Sequence, residues 1–107
     1  MKLVYAIVND DDTYAVTKAM QKKGIRATKL ASTGGFLSRG NTTFMICCRD
    51  EQVDEIISVC KEHSRKRRQV VLSTEINEGM ISDPEPVEVN IGGATIFVTD
   101  IERFEQV

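Results

Sequence analysis

The chain has 107 residues, 41% hydrophobic and 28% charged, with a formal net charge of −2. That length builds one modest core and not two, and that charge gives no general attraction to nucleic acid or to an anionic membrane. The longest apolar runs are strand-sized, and the start "MKLVYAIVNDDD" is too short in its apolar run and too acidic for a signal peptide, so a cytoplasmic protein without a membrane span is expected.

The first stretch, "KLVYAIVN" (2–9), reads as a strand that is apolar on both faces, with Leu3, Tyr5 and Ile7 on one side and Val4, Ala6 and Val8 on the other. "DDDTYAVTKAMQKKG" then reads as a helix capped by one of Asp10, Asp11 and Asp12, buried through Val16, Ala19 and Met20, and stopped by Gly24. "IRATKLAS" (25–32) is a second strand, a glycine-rich loop follows, and "TTFMICCR" (42–49) is a third strand. In "DEQVDEIISVCKEH", Val53, Ile56, Ile57 and Cys60 fall at i, i+3, i+4 and i+7, which marks a second helix. "QVVLS" (69–73) is a fourth strand. Residues 74–86 show no period and hold two prolines, so an exposed, mobile loop is expected. "VEVNIGGATIFV" reads as a hairpin turning at Gly92-Gly93, and the tail "DIERFEQV" as one helical turn.

The order β-α-β-β-α-β plus a hairpin is an α+β pattern of the ferredoxin-like kind, in one domain spanning 1–107, with the helices on one face of the sheet. Two helices cover one face only. The other face of the first strand is apolar as well, so a second copy of the chain is the expected cover, and a homo-oligomer follows.

Few residues have the spacing that chemistry requires. The run Asp10-Asp11-Asp12 could hold Mg²⁺, but a metal site would need further ligands on neighbouring strands, and a helix N-terminus is the simpler reading. Three cysteines without a Cys-x-x-Cys spacing suit a reducing compartment. Cys47 and Cys48 point to opposite faces of one strand, and Cys60 lies on the apolar stripe of a helix, so all three read as small hydrophobes. His63 is the only histidine and sits in a last helical turn. Residues 61–68 gather five of the fourteen basic residues without interleaved aromatics, the pattern of a solvated helix end. No base–nucleophile pair or metal cluster emerges, so no enzyme, no metal and no cofactor is expected.

The loop "ASTGGFLSRGNTT" (31–43) is richer than a turn requires. Gly34, Gly35 and Gly40 let backbone N–H groups approach an anion. Arg39, Asn41, Thr42 and Thr43 add donors, and Phe36 offers a flat face on which a base can stack. No Gly-Lys-Ser/Thr follows, so this is not a Walker loop. Its chemistry suits a nucleotide-like ligand without saying which one, or an incidental turn.

Four blocks carry a wider resemblance: "KLVYAIVNDDD", "RATKLASTGGFLSRGNTTFMI", "PVEV" and "GGATIFV", with "FEQV" at the end. In this order and spacing the whole chain resembles the PII-like cyclic di-AMP receptor proteins of bacteria. The resemblance implies a signal-transduction homotrimer that holds cyclic di-AMP in clefts between subunits and shows ligand occupancy to a protein partner. The contacting positions carried over are Arg26, Ala27, Thr28, Gly35, Phe36, Leu37, Asn41, Phe97 and Gln106. It further implies that ligand reorders loops 32–41 and 74–86. The chain departs from the family at three places: Gly24 stands where asparagine is usual, Cys47 where a glycine lies against the ligand, and 74–86 lacks the usual glycine-rich stretch. Two alternatives therefore stay open: a trimer that takes another adenine nucleotide such as ATP, and an interaction protein that has lost nucleotide binding.

Overall fold

A computed structural model describes residues 1–30, 40–73, 76–77, 80–81 and 85–107, with the backbone alone at 69, 71–73, 76–77, 80–81, 85, 87 and 89–91. The elements in chain order are β1 (Lys2–Asn9), a 3-10 turn (Asp10–Asp12), α1 (Thr13–Lys22), β2 (Thr28–Leu30) and β3 (Asn41–Cys48). A second 3-10 turn (Asp50–Gln52) leads into α2 (Val53–His63), followed by β4 (Arg67–Ser73), β5 (Ile76–Asn77), β6 (Met80–Ile81), β7 (Glu85–Ile91) and β8 (Ala94–Asp100).

The main sheet has four antiparallel strands in the order β2-β3-β1-β8. One face is closed by both helices. Val4, Ala6 and Val8 of β1 and Phe44, Ile46 and Cys48 of β3 meet Val16 and Met20 of α1 and Ile56, Val59 and Cys60 of α2, all buried in one cluster. Burial of such a side chain contributes about 1.5–3 kcal/mol. Exposed ion pairs such as Lys23–Glu55, at 3.5 Å, contribute at most about 1 kcal/mol each. The covered face therefore carries the fold.

Helix α1 ends as its sequence requires. Gly24 adopts φ 70°, its N–H bonds to the Gln21 carbonyl at 3.1 Å, and the Ile25 N–H bonds to the Met20 carbonyl at 2.9 Å. This pair of bonds is a Schellman end, and the buried contact of Ile25 with Met20 completes it. Ile25 thus belongs to the helix terminus, and the second strand is Thr28–Leu30 within the described residues, shorter than the 25–32 expected. The start of α1 also differs in part from expectation. Asp12 stands at the N-cap of α1 as expected but makes no side-chain capping bond, while Asn9 caps the preceding 3-10 turn, its Oδ1 accepting from the Asp11 N–H at 2.9 Å. Asp10 and Asp12 instead bind side chains elsewhere in the chain, as described below.

The larger correction concerns the last strands. Residues 69–73 do not join the main sheet, and Val87–Ile91 and Ala94–Val98 do not form a hairpin with each other. β4 pairs with β7 in a separate two-stranded ribbon, from Arg67 opposite Ile91 to Ser73 opposite Glu85. β8 takes the place beside β1, from Lys2 opposite Asp100 to Val8 opposite Ala94. Gly92 and Gly93, at φ 83° and 80°, carry the chain from ribbon to sheet. They do not close a turn because the Gly93 N–H bonds to the Ser64 carbonyl, fixing the crossing against the end of α2. The expected loop 74–86 contains a further pairing, Ile76 opposite Ile81 and Asn77 opposite Met80, and β7 begins at Glu85; the remaining positions lie outside the described residues. The tail after Asp100 forms no helical turn.

Cys47 is exposed and Cys48 buried, as alternation along β3 requires, and Cys60 is buried on the apolar stripe of α2. Burial pushes the Cys60 thiol from its ordinary 9.0 up to about 11. The folded-state value is the higher one, so its contribution to stability is complete below pH 9 and is lost as pH rises through 11. In urea unfolding, Cys60→Ala should cost about 1 kcal/mol or more near pH 8, and the gap to the parent protein should narrow between pH 9 and 11.

Candidate functional site

Residues directly opposite one another in antiparallel strands share a face. The registers therefore define the face that the helices leave open. Leu3 lies between Cys47 and Thr99, Tyr5 between Met45 and Phe97, and Ile7 between Thr43 and Thr95. Thr28 sits opposite Met45 and Leu30 opposite Thr43. One row of this face thus runs Thr28, Met45, Tyr5, Phe97 across all four strands. Leu3, Tyr5, Ile7 and Met45 are half-buried, and Phe97 keeps 57% of its surface exposed. The result is an apolar sheet face that nothing in a single chain covers among the described residues.

The residues expected at a ligand fall in three places. Arg26 and Ala27 lead into β2 and Thr28 opens it; Arg26 and Thr28 are exposed, and Ala27 packs against the core. Asn41 opens β3, opposite Asn9. Phe97 lies on β8 and Gln106 in the exposed segment that follows it, a segment tied down by the bond of the Ile101 N–H to the Met1 carbonyl at 3.2 Å. Gly35, Phe36 and Leu37 lie outside the described residues.

Among the described residues, the three groups are not brought together within one chain. Thr28 stands on the β2 edge and Phe97 on the β8 edge, three strand spacings or about 14 Å apart. Asn41 is four residues along β3 from Met45, about 13 Å. A groove of about 460 Å³ between α2 and β8, lined by residues such as Ile57, Lys61, Lys66 and Ile96, contains none of them. The smaller cavity of about 110 Å³ beside Ala27, between Met20, Ile25 and Phe44, is far below the size of a nucleotide site.

The C-terminal end of the glycine-rich loop is held by three hydrogen bonds. The Asp10 N–H bonds to the Gly40 carbonyl at 2.8 Å. The Thr13 hydroxyl donates to Thr42 at 2.9 Å, and the Thr42 hydroxyl donates to the Asp10 carboxylate at 2.6 Å. Thr43, only 4% exposed, has a hydroxyl without a partner among the described residues. A buried hydroxyl left so costs about 1–3 kcal/mol, and it lies on the open face next to the loop. Tyr5 and Met45, which join the two edges of the sheet, were read in the sequence as strand residues only. Their signal was the second apolar face of β1. The basic run 61–68 is not wholly a solvated end, because Arg67 forms an ion pair with the buried carboxylate of Asp12 at 2.9 Å.

No helix among the described residues is long and apolar enough to cross a membrane. The chain is similar to a crystal structure of a functionally unknown protein from Pediococcus pentosaceus ATCC 25745, at 38% identity and a TM-score of 0.72, over 99% of this chain and 96% of that one. The family described as "Cyclic-di-AMP receptor" matches residues 1–107. With its whole length matched, the chain belongs to the cyclic-di-AMP receptor family.

Proposed function

We propose that this protein is a non-enzymatic PII-like receptor for cyclic di-AMP, a homotrimer of ferredoxin-like subunits that binds the dinucleotide between neighbours and presents the bound state to a protein partner. The ligand class rests on the family match over the whole chain. The position between subunits rests on one observation: Thr28 and Phe97 occupy opposite edges of the open face. A ligand of dinucleotide size reaches both kinds of group when the β2 edge of one copy meets the β8 edge of the next.

In this reading Arg26 supplies charge to a phosphate. Thr28 and Asn41 supply hydrogen bonds, Gly35 permits close backbone approach, and Phe36 and Leu37 flank an adenine. Ala27 keeps β2 seated on the core behind them. Phe97 and Gln106 come from the neighbouring copy. The apolar residues Met45 and Tyr5 between the two edges are then buried by assembly rather than by ligand, so the trimer forms first. Ligand afterwards orders loop 32–41 and alters segment 74–86.

A thermal-shift and calorimetric panel of cyclic di-AMP, ATP, ADP and cyclic AMP tests the ligand. Saturable heat and stabilisation should appear with cyclic di-AMP at micromolar concentration, and no response at high micromolar concentration would overturn the reading. Sedimentation should give a trimer at micromolar protein with or without ligand; a monomer would contradict the covered-face argument. Phe36→Ala should weaken cyclic di-AMP by the 1–3 kcal/mol of a lost stack, roughly five- to over a hundredfold, with little dependence on salt. Arg26→Ala should weaken it by a factor that shrinks as salt rises, because screening removes the same attraction from the parent protein. Binding curves for both variants at low and high salt distinguish the two contributions.

A further inference from the structure

The 3-10 turn Asp10–Asp12 touches two parts of the molecule that are distant in sequence. On one side it holds the end of the glycine-rich loop, through the Gly40 carbonyl and the Thr42 hydroxyl. On the other side Asp12, with its side chain only 8% exposed, takes both guanidinium nitrogens of Arg67, at 2.9 and 3.3 Å. Arg67 is the first residue of β4 and stands opposite Ile91, the last of β7, so it sits at the root of the ribbon. The same guanidinium also donates to the Arg65 carbonyl at 3.2 Å, and a Cβ on Gly92 would collide with it at 2.8 Å. Arg67 is therefore held from three directions at the point where the ribbon leaves the body.

We propose that Asp12 and Arg67 are positioning residues that couple the loop ending at Gly40–Thr42 to the ribbon β4–β7, so that a change in the loop is passed through the Asp10–Asp12 turn to the ribbon's root. The turn is three residues long, and two of its carboxylates hold different parts of the chain: Asp10 holds Thr42 and Asp12 holds Arg67. A shift of Gly40 and Thr42 displaces Asp10, and the short turn carries Asp12 with it. Asp12 is buried and has Arg67 as its ion-pair partner, so the pair follows the displacement rather than breaking. The direction of signal from ligand to ribbon rests on the receptor reading given above; the mechanical link does not.

Hydrogen–deuterium exchange of the ribbon amides, at 67–73 and 85–91, in ligand-free protein tests the link with a cycle of Thr42→Val, Arg67→Gln and the double variant. Thr42→Val removes the bonds to Thr13 and to Asp10, and through the one to Asp10 it should speed ribbon exchange about two- to tenfold. Arg67→Gln should speed it more, and the double variant should match Arg67→Gln alone. If Arg67→Gln fails to fold, Asp12→Asn replaces it in the same cycle. A Thr42→Val protein with parental ribbon exchange, or a double variant equal to the sum of the singles, overturns the proposal. Cyclic di-AMP is then added. It should change ribbon exchange in the parent protein but not in Arg67→Gln, whose affinity should stay within about threefold, since Arg67 is placed outside the ligand contacts. Absence of binding to the parent would count against the receptor reading alone, because the ligand-free cycle decides the coupling independently.

Discussion

Two helices can cover one face of a four-stranded sheet, and β1, in its middle, is apolar on both. Everything else in the molecule is arranged around that shortage of cover. The closed face is a continuous core from Phe44 to Cys60. The open face is lined by Leu3, Tyr5, Met45 and Phe97, a composition that water does not stabilise. Because the strands run edge to edge beneath it, the open face also joins the two edges where the candidate ligand residues stand. The open face thus keeps Thr28 and Phe97 on separate edges of one chain.

The ribbon β4–β7 answers to different physics. A two-stranded ribbon is marginal by itself in water, and Val70 on it is 62% exposed. Its root is better defined than its length. There the Asp12–Arg67 pair, the Arg65 carbonyl and the Gly93–Ser64 bond converge. Removing Arg67 would strip the buried Asp12 carboxylate of its ion-pair partner, which none of the exposed pairs would do.

Much of this was legible in the chain itself. The two-sided strand β1, the stripe Val16–Met20 of α1 and the spacing of α2 all fell where periodicity put them, because local pattern and burial agree there. Pairing was not legible. "QVVLS" and "ATIFV" both read as strands, and nothing local says which one lies beside β1. Two adjacent glycines at positive φ are also what a tight hairpin uses, so Gly92-Gly93 suggested a turn; only the bond to Ser64, from another element, shows that the strands part there. Asp12 and Arg67 are 55 residues apart, beyond any spacing rule. Arg26, Thr28 and Phe97 were singled out by family likeness and by chemistry. That Thr28 and Phe97 stand on opposite edges could come only from strand order.

The crossing at Gly92 and Gly93 has one more consequence. A Cβ on Gly92 would strike the Arg65 carbonyl oxygen, and one on Gly93 would press on the Lys66 side chain at 2.9 Å. The exit of the ribbon from the body is therefore sterically determined by the groups already packed against these two glycines. A side chain at Gly92 would have to push the Arg65 backbone aside, so the angle at which the ribbon departs is bound to the residues that follow α2.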